Sequence, residues 1–124
     1  MSKIIGIGAS VLDTYIIVPN YPIEDKKAKA DSIFQMGGGP VGNALVAISR
    51  LGGDASVLGA FANDGSGRQL INEYQKFGVD TSSCPIINDR ISFTSTLIIN
   101  KKEGTRTCLF DRGTVEDDPS KLDL

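Results

Sequence analysis

The sequence predicts an α/β fold, in which the strands of a parallel sheet alternate with helices that cover it. Residues 3–9 and 55–61 are short apolar runs of the kind that form buried parallel strands. Residues 44–51 have a helix-forming composition, and residues 68–77 carry apolar side chains at helical spacing. The order strand, helix, strand, helix builds a parallel sheet through right-handed crossovers. The 124 residues suffice for one domain with a core of its own.

Three consecutive glycines precede the first predicted helix. Gly37, Gly38 and Gly39 carry no Cβ atoms, so the backbone there can bend tightly and approach a ligand. Asn43 stands where the helix could begin, and its side chain can cap free N–H groups or bind a hydroxyl group. The segment is therefore a candidate polar binding site at a helix N-terminus. A tight turn before a buried helix is the alternative interpretation.

Asp13 is a second candidate for ligand binding. It follows the first predicted strand, just past the position where that strand should stop. Ligands of open α/β sheets bind beyond the carboxyl ends of the strands, so an acidic side chain there can contact a ligand. The alternative is a solvated aspartate in a turn.

The C-terminal third is rich in β-forming residues and contains no helical pattern. Residues 91–100 and 105–110 read as two strands joined by a hairpin turn. We expect a small antiparallel sheet attached to the α/β body and joined by short strands at 15–18 and 32–36. Residues 111–124 are polar and show no clear pattern of a helix or strand that would close the fold. One face of the first hairpin strand is predicted to be apolar through Ile91, Phe93, Leu97 and Ile99.

Composition excludes several classes of function. The formal net charge is −2 and no long cluster of Lys or Arg occurs, so we expect no nucleic-acid partner. No apolar run has transmembrane length and no signal-peptide pattern opens the chain, so we expect a cytoplasmic protein without a membrane partner. The chain has no histidine and two isolated cysteines, which excludes the usual zinc sites and Ser/His/Asp or Cys/His catalysis. We predict no metal site among its own side chains.

Several short motifs follow one another along the chain. From the N-terminus they are residues 6–8 with Asp13, residues 21–25, residues 37–39 with Asn43, residues 50–52, Asp64 with Gly67, residues 77–80 and residues 104–107. Each motif alone is weak evidence. Their order and spacing together resemble the N-terminal portion of the PfkB (ribokinase-like) family of carbohydrate kinases, and its ketohexokinase-like members in particular. Pro40 stands where relatives often carry Lys or Asn facing the sugar, which leaves the sugar itself open.

The resemblance implies a ribokinase-like fold, with a parallel sheet and flanking helices plus a small antiparallel β lid that closes over a sugar. By position, Asp13 would accept hydrogen bonds from two sugar hydroxyls. Gly38 and Gly39 would let the backbone approach the sugar, and Asn43 would bind a further hydroxyl. These roles agree with the general ability of a carboxylate and an amide to orient hydroxyl groups.

The resemblance also implies residues and partners beyond the sugar. Arg106 matches a lid arginine near the sugar and the transferred phosphate, where a positive charge can stabilise a moving phosphoryl group. Asp25 matches a residue that can reach the site of a neighbouring subunit. We therefore expect a homodimer formed through the β lid. ATP and Mg²⁺ are the cofactors that the family uses.

The activity expected of the intact protein is ATP-dependent phosphorylation of a hydroxyl on a fructose-like or ribose-like sugar. The family's catalytic Asp lies in a Gly-Ala-Gly-Asp-like segment of the C-terminal half, and no such segment occurs in these 124 residues. We expect this chain to supply the sugar site and the lid, and to be inactive alone. A nucleoside kinase of the same superfamily and a non-catalytic sugar-binding or interaction module are the alternatives.

Overall fold

The computed structural model describes residues 2–116, and it separates two kinds of β-structure. One is parallel and packs against both helices, whereas the other is a four-stranded sheet that contributes little to the core. Of the predicted polar segment 111–124, residues 117–124 lie outside the described residues. The elements are β1 (Lys3–Ile7), β2 (Val11–Val18), β3 (Ser32–Gly38), α1 (Pro40–Arg50), β4 (Asp54–Leu58), β5 (Phe61–Ala62), α2 (Gly65–Lys76), β6 (Ile86–Ile87), β7 (Thr94–Asn100) and β8 (Thr105–Asp111).

The parallel part confirms the predicted α/β body. β1 pairs with β4 in parallel register, and β5 pairs with β6 in the same way. Asp80 extends the first pair, because its N–H donates to Ala55 O at 2.9 Å and its carbonyl accepts from Val57 N at 3.0 Å. The predicted strand 55–61 is divided, since β4 ends at Leu58 and β5 begins at Phe61.

The hydrophobic core lies between this parallel part and the two helices. β1 approaches α1 closely at Gly6, where an added Cβ would come within 2.8 Å of Leu45 and Val41. Ile5 and Ile7 point to the opposite face and are 54% and 60% exposed. The prediction of a buried first strand is therefore wrong, because every residue of β1 except Gly6 is exposed, and the described residues leave the face of Ile5 and Ile7 uncovered. The buried core residues are Leu12, Leu45, Ala55, Val57, Phe61, Leu70, Tyr74 and Val79.

The first helix begins earlier than its sequence suggested. Gly39 is the N-cap, with φ of 92°, and Pro40 is the first helical residue. A positive φ is strained for residues with a Cβ, so glycine is required here, and proline is favoured at N1 because the N–H it lacks would be unbonded there. Asn43 lies inside the first turn and donates its backbone N–H to Gly39 O at 3.0 Å. Its predicted capping role is therefore wrong, and its side chain is exposed.

The four-stranded sheet has the order β3-β2-β7-β8. β2 with β3 and β7 with β8 are antiparallel, but the central strands β2 and β7 run parallel. The predicted antiparallel sheet is therefore a mixed one. A hairpin forces antiparallel pairing, whereas β2 and β7 are joined through the whole α/β body, and a long crossover permits parallel pairing.

All four strands of this sheet have bounds that differ from the prediction, although β8 differs only in continuing through Asp111. The strand expected at 15–18 begins at Val11, so Asp13 lies within β2 rather than beyond the end of β1. The strand expected at 32–36 continues through Gly38. β7 begins only at Thr94, which leaves Ile91 outside the strand and 59% exposed.

No helix within residues 2–116 has the length and apolar character that spanning a membrane requires.

Candidate functional site

One face of the four-stranded sheet and the N-terminal turn of α1 enclose a cleft of about 500 Å³. The strand register builds this face. Asp13 on β2 lies beside Ser95 on β7, which in turn pairs with Phe110 on β8. Because side chains alternate along a strand, every second residue on each strand points into the same space. The lining residues are Ala9, Val11, Asp13, Tyr15, Gly39, Pro40, Asn43, Phe93, Ser95, Leu97, Arg106, Cys108 and Phe110.

The Asp13 carboxylate is held from two sides. The Ser95 hydroxyl donates a hydrogen bond to Asp13 Oδ1. On the other side, Asp13 Oδ2 lies so close to Gly38 that a Cβ at that position would overlap it. Gly38 is buried behind the carboxylate and is not among the residues that line the cleft. The glycine at 38 is thus required by the position of Asp13.

Tyr15 and Arg106 complete the polar part of the cleft. Burial first, and then the negative charge of Asp13, raise the pKa of the Tyr15 phenol, while the positive charge of Arg106 opposes that rise. The Tyr15 ring stacks on Phe34, with ring centroids 5.1 Å apart. A carboxylate, a phenol and a guanidinium therefore influence one another electrostatically on a single sheet face.

Apolar side chains form one wall of the cleft. Phe93 and Phe110 stack with their centroids 6.1 Å apart, and Leu97 on β7 also lines the cleft, two positions beyond Ser95. The Arg112 guanidinium lies about 6 Å from both rings, at 6.0 and 5.9 Å. The cleft therefore combines polar groups with flat apolar surfaces, which is typical of small-molecule sites.

A second cavity of about 520 Å³ lies on the far side of the glycine segment, between α1, α2 and the edge of β3. Its carboxylate, Glu73, is engaged with the protein: Gly37 N donates to both Glu73 oxygens, at 2.9 and 2.8 Å. Glu73 in this cavity therefore holds the backbone of the glycine segment in place. The first cleft is the better candidate site, because it holds Asp13 and Arg106 together.

The structure brings four of the six residues named from the sequence to one cleft. Asp13, Gly39, Asn43 and Arg106 all line it. Gly38 lies directly behind Asp13, as described above. Asp25 lies elsewhere, in the exposed loop between β2 and β3 with φ of 61°, and does not line the cleft.

The sequence reasoning missed Ser95 and Tyr15. Strand alternation is a signal that places Ser95 on the same face as Phe93 and Leu97, and Tyr15 on the same face as Asp13. What that signal lacks is the pairing of β2 with β7, which puts Ser95 next to Asp13 although they are 82 residues apart in sequence.

Within residues 2–116, no group of three or more His, Cys, Asp or Glu side chains is placed to hold a metal ion.

Comparison with known proteins gives a consistent result. Mouse ketohexokinase is 28% identical over 126 residues, a match that includes 98% of this chain and 42% of the relative. Fructokinase-2 of Oryza sativa subsp. japonica is 28% identical over 90 residues, which include 73% of this chain and 26% of the relative. The chain thus spans less than half the length of these relatives.

Solved structures show the same fold. A fructokinase from Xylella fastidiosa matches 98% of this chain and 38% of its own length, with a TM-score of 0.77 and 21% identity. A ribokinase from Giardia lamblia matches 92% of this chain and 37% of its own length, with a TM-score of 0.80 and 20% identity. The sequence pattern of pfkB family carbohydrate kinases matches residues 1–123. With this match along nearly its whole length, the chain belongs to the pfkB family of carbohydrate kinases.

Proposed function

We propose that this chain forms the sugar-binding cleft and lid of a kinase that transfers a phosphoryl group from ATP to a hydroxyl of a fructose-like or ribose-like sugar. The observation that carries the proposal is the convergence of Asp13, Asn43 and Arg106 on one cleft of about 500 Å³. Relatives named ketohexokinase, fructokinase and ribokinase support this substrate class.

The cleft offers complementary groups to each part of a sugar. The Asp13 carboxylate can accept hydrogen bonds from two neighbouring hydroxyls, and the Asn43 amide can both donate and accept. Phe93, Leu97 and Phe110 present apolar surface to the C–H faces of the ring. Binding would therefore orient the sugar so that one hydroxyl faces the phosphoryl donor.

Arg106 is proposed to stabilise the phosphoryl group during transfer. It projects from β8 into the cleft that holds Asp13, and a guanidinium can neutralise charge that develops on phosphate oxygens. In a protein that carries the complete fold, Arg106→Ala should then lower turnover more than it weakens sugar binding without nucleotide. Equal losses in both quantities would contradict this role.

ATP and Mg²⁺ are proposed cofactors of the whole protein. A fructokinase from Xylella fastidiosa has been solved with bound ATP, and a ribokinase from Cryptococcus neoformans with ADP. We assign the nucleotide and the metal to parts of the fold that the relatives have and this chain does not span, because the chain covers 42% of mouse ketohexokinase and 38% of the Xylella fastidiosa fructokinase. The chain alone is accordingly predicted to be inactive as a kinase.

Direct titration of the 124-residue chain tests the sugar site. Calorimetry with D-fructose, D-ribose, D-glucose and adenosine should show binding of a ketose or pentose that Asp13→Ala abolishes or weakens at least tenfold. Preferred binding of adenosine would favour a nucleoside kinase. Absence of binding by every compound, or binding that does not depend on Asp13, would contradict the proposed site.

The non-catalytic alternative needs a different measurement. Phosphorylation of the bound sugar by ATP should appear in a protein that carries the complete fold and be absent from this chain alone. If sugar binds through Asp13 but the complete protein transfers no phosphate, the chain is a sugar-binding module.

We also propose that the four-stranded sheet pairs with a second copy. Its edge strand β8 is exposed along its whole length, and open strand edges invite pairing. Asp25, exposed on its loop, would then reach the partner's cleft. Light scattering should show that Ile99→Asp, on the sheet, weakens association. The matched variant Ile5→Asp lies on the uncovered face of β1, and if it alone dissociates the chain, the sheet is not the interface.

A further inference from the structure

Ser95 occupies a special position beside the proposed sugar-binding carboxylate. It lies on β7 and is the register partner of Asp13 on β2. Its side chain points to the cleft, yet the residue is only 7% exposed. A small polar residue at this depth, next to a carboxylate, can act mainly on that carboxylate.

The direction of the hydrogen bond between the two residues follows from their chemistry. An ionised carboxylate can only accept, so the Ser95 hydroxyl donates to Asp13 Oδ1. Gly38 restricts the second oxygen, since any side chain there would overlap Asp13 Oδ2. Asp13 thus has one oxygen bonded by Ser95 and the other seated against a backbone that carries no Cβ.

These contacts reduce the freedom of the carboxylate while leaving it able to bind a ligand. A carboxylate has about four acceptor positions, and Ser95 uses one of them. Fixing the orientation of a binding group before the ligand arrives removes part of the entropy cost of binding.

We propose that Ser95 is a positioning residue, which orients the Asp13 carboxylate toward the sugar hydroxyls. This inference rests on the proposed function, since it assumes that Asp13 binds the sugar. Ser95 then acts through Asp13, and its contribution to affinity exists only while Asp13 is present.

A double-mutant cycle separates this role from a direct contact with the sugar. D-fructose and D-ribose are titrated into the 124-residue chain and into its Ser95→Ala, Asp13→Ala and doubly substituted forms. We expect Ser95→Ala to weaken binding about five- to tenfold when Asp13 is present, and by less than about twofold in the Asp13→Ala background.

Two further variants serve as controls. Ser95→Thr keeps the hydroxyl and should restore most of the affinity. Thr96→Ala removes a hydroxyl from the opposite face of the same strand and should leave sugar affinity and melting temperature nearly unchanged. Melting temperatures of all variants show whether a loss of affinity comes with a loss of folding.

The ¹³C chemical shift of the Asp13 carboxyl carbon gives a readout that does not depend on sugar binding. It should move in Ser95→Ala and stay unchanged in Thr96→Ala. An unchanged shift in Ser95→Ala, or an equal loss of affinity in both Asp13 backgrounds, overturns the positioning role. If instead Asp13→Ala binds sugar as tightly as the wild type, the proposed function fails and the positioning role fails with it.

Discussion

Asp13 and Asp64 are two aspartates in similar sequence settings, yet the structure uses them differently. Asp64 is the N-cap of α2 and accepts from Gly67 N at 2.7 Å, from Ser92 Oγ at 2.6 Å and from Ser92 N at 2.9 Å. Asp13 accepts a hydrogen bond from the Ser95 hydroxyl and lies open to a cleft. The Asp64 carboxylate is occupied by hydrogen bonds from the protein, whereas the Asp13 carboxylate has acceptor positions left for a ligand.

This difference in free acceptor positions, rather than position in the sequence, is our reason for proposing Asp13 and not Asp64 as the carboxylate that binds the ligand. Burial would raise the pKa of Asp64, but the hydrogen bonds from Ser92 and Gly67 outweigh it and lower that pKa. Asp64 also joins α2 to the segment that enters β7, because it accepts two hydrogen bonds from Ser92. Ser92 is only 3% exposed, so these bonds are buried. Changes at Asp64 should therefore affect folding, and changes at Asp13 should affect binding.

The largest expected effect is the loss of sugar binding in Asp13→Ala. Each hydrogen bond from a sugar hydroxyl to the carboxylate contributes about 1.5–3 kcal/mol. Loss of one such bond predicts a decrease in affinity of at least about tenfold, and loss of two predicts a decrease of more than about a hundredfold. Calorimetry measures the affinity and thermal melting measures the folding, which should change little. A large fall in melting temperature with unchanged affinity would show that Asp13 has a structural role like that of Asp64 and does not bind the sugar.

Asp64→Ala should have the opposite outcome. Loss of an N-cap costs about 0.5–2 kcal/mol, and leaving the buried Ser92 without its partner adds to that cost. We expect the free energy of unfolding in urea to fall by about 2 kcal/mol. Asp64→Asn, which keeps an acceptor oxygen for Gly67 N, is the matched control and should lose less. Equal losses in both variants would show that the cap is not the cause.

Gly38→Ala should weaken sugar binding without any direct contact between residue 38 and the cleft. The added Cβ would overlap Asp13 Oδ2 and displace the carboxylate. Gly37→Ala is the matched control, because its Cβ would meet Glu73 Oε1 at 3.2 Å and Leu70 at 3.4 Å, which small shifts can accommodate. We expect about a tenfold loss of affinity for Gly38→Ala and a much smaller one for Gly37→Ala. Similar losses of affinity in both variants would mean that the overlap with Asp13 Oδ2 is not the cause.

The sequence was sufficient to predict most of the elements and most residues of the proposed site. Local patterns predicted both helices and the hairpin, but not the short strand β6 or the division of residues 55–61 into β4 and β5. They failed where distant segments meet. The parallel pairing of β2 with β7 and the exposure of Ile5 depend on which elements lie beside each strand, and no local pattern contains that information.

The same limit explains the site. Asp13 and Arg106 could be named from motifs, but Ser95 could not, because its role arises only when β7 lies beside β2. Of the two roles considered for Asn43, the helix cap is wrong and the binding of a sugar hydroxyl stays a prediction. Gly39 and Pro40 meet the backbone requirements of the helix start better than an Asn cap does, which leaves the Asn43 side chain exposed at the cleft.

The smallest predicted effect concerns Asp80, a structural aspartate that is more exposed than Asp64. Hydrogen bonds from Ser82, and next the ion pair with Lys3 at 3.0 Å, lower the pKa of Asp80 to about 2. A carboxyl group whose pKa is lower in the folded protein stabilises the fold above its unfolded pKa. That stabilisation is lost as the pH falls from the ordinary value of 3.8 toward about 2. Urea unfolding at a series of pH values should show this loss in the wild type and a smaller one in Asp80→Asn. Because the side chain is 36% exposed, solvent screening keeps the effect small.

Lys3→Met should remove only part of the pH dependence, since Ser82 supplies the larger part. If Lys3→Met abolishes it as fully as Asp80→Asn does, the ion pair and not Ser82 holds the carboxylate.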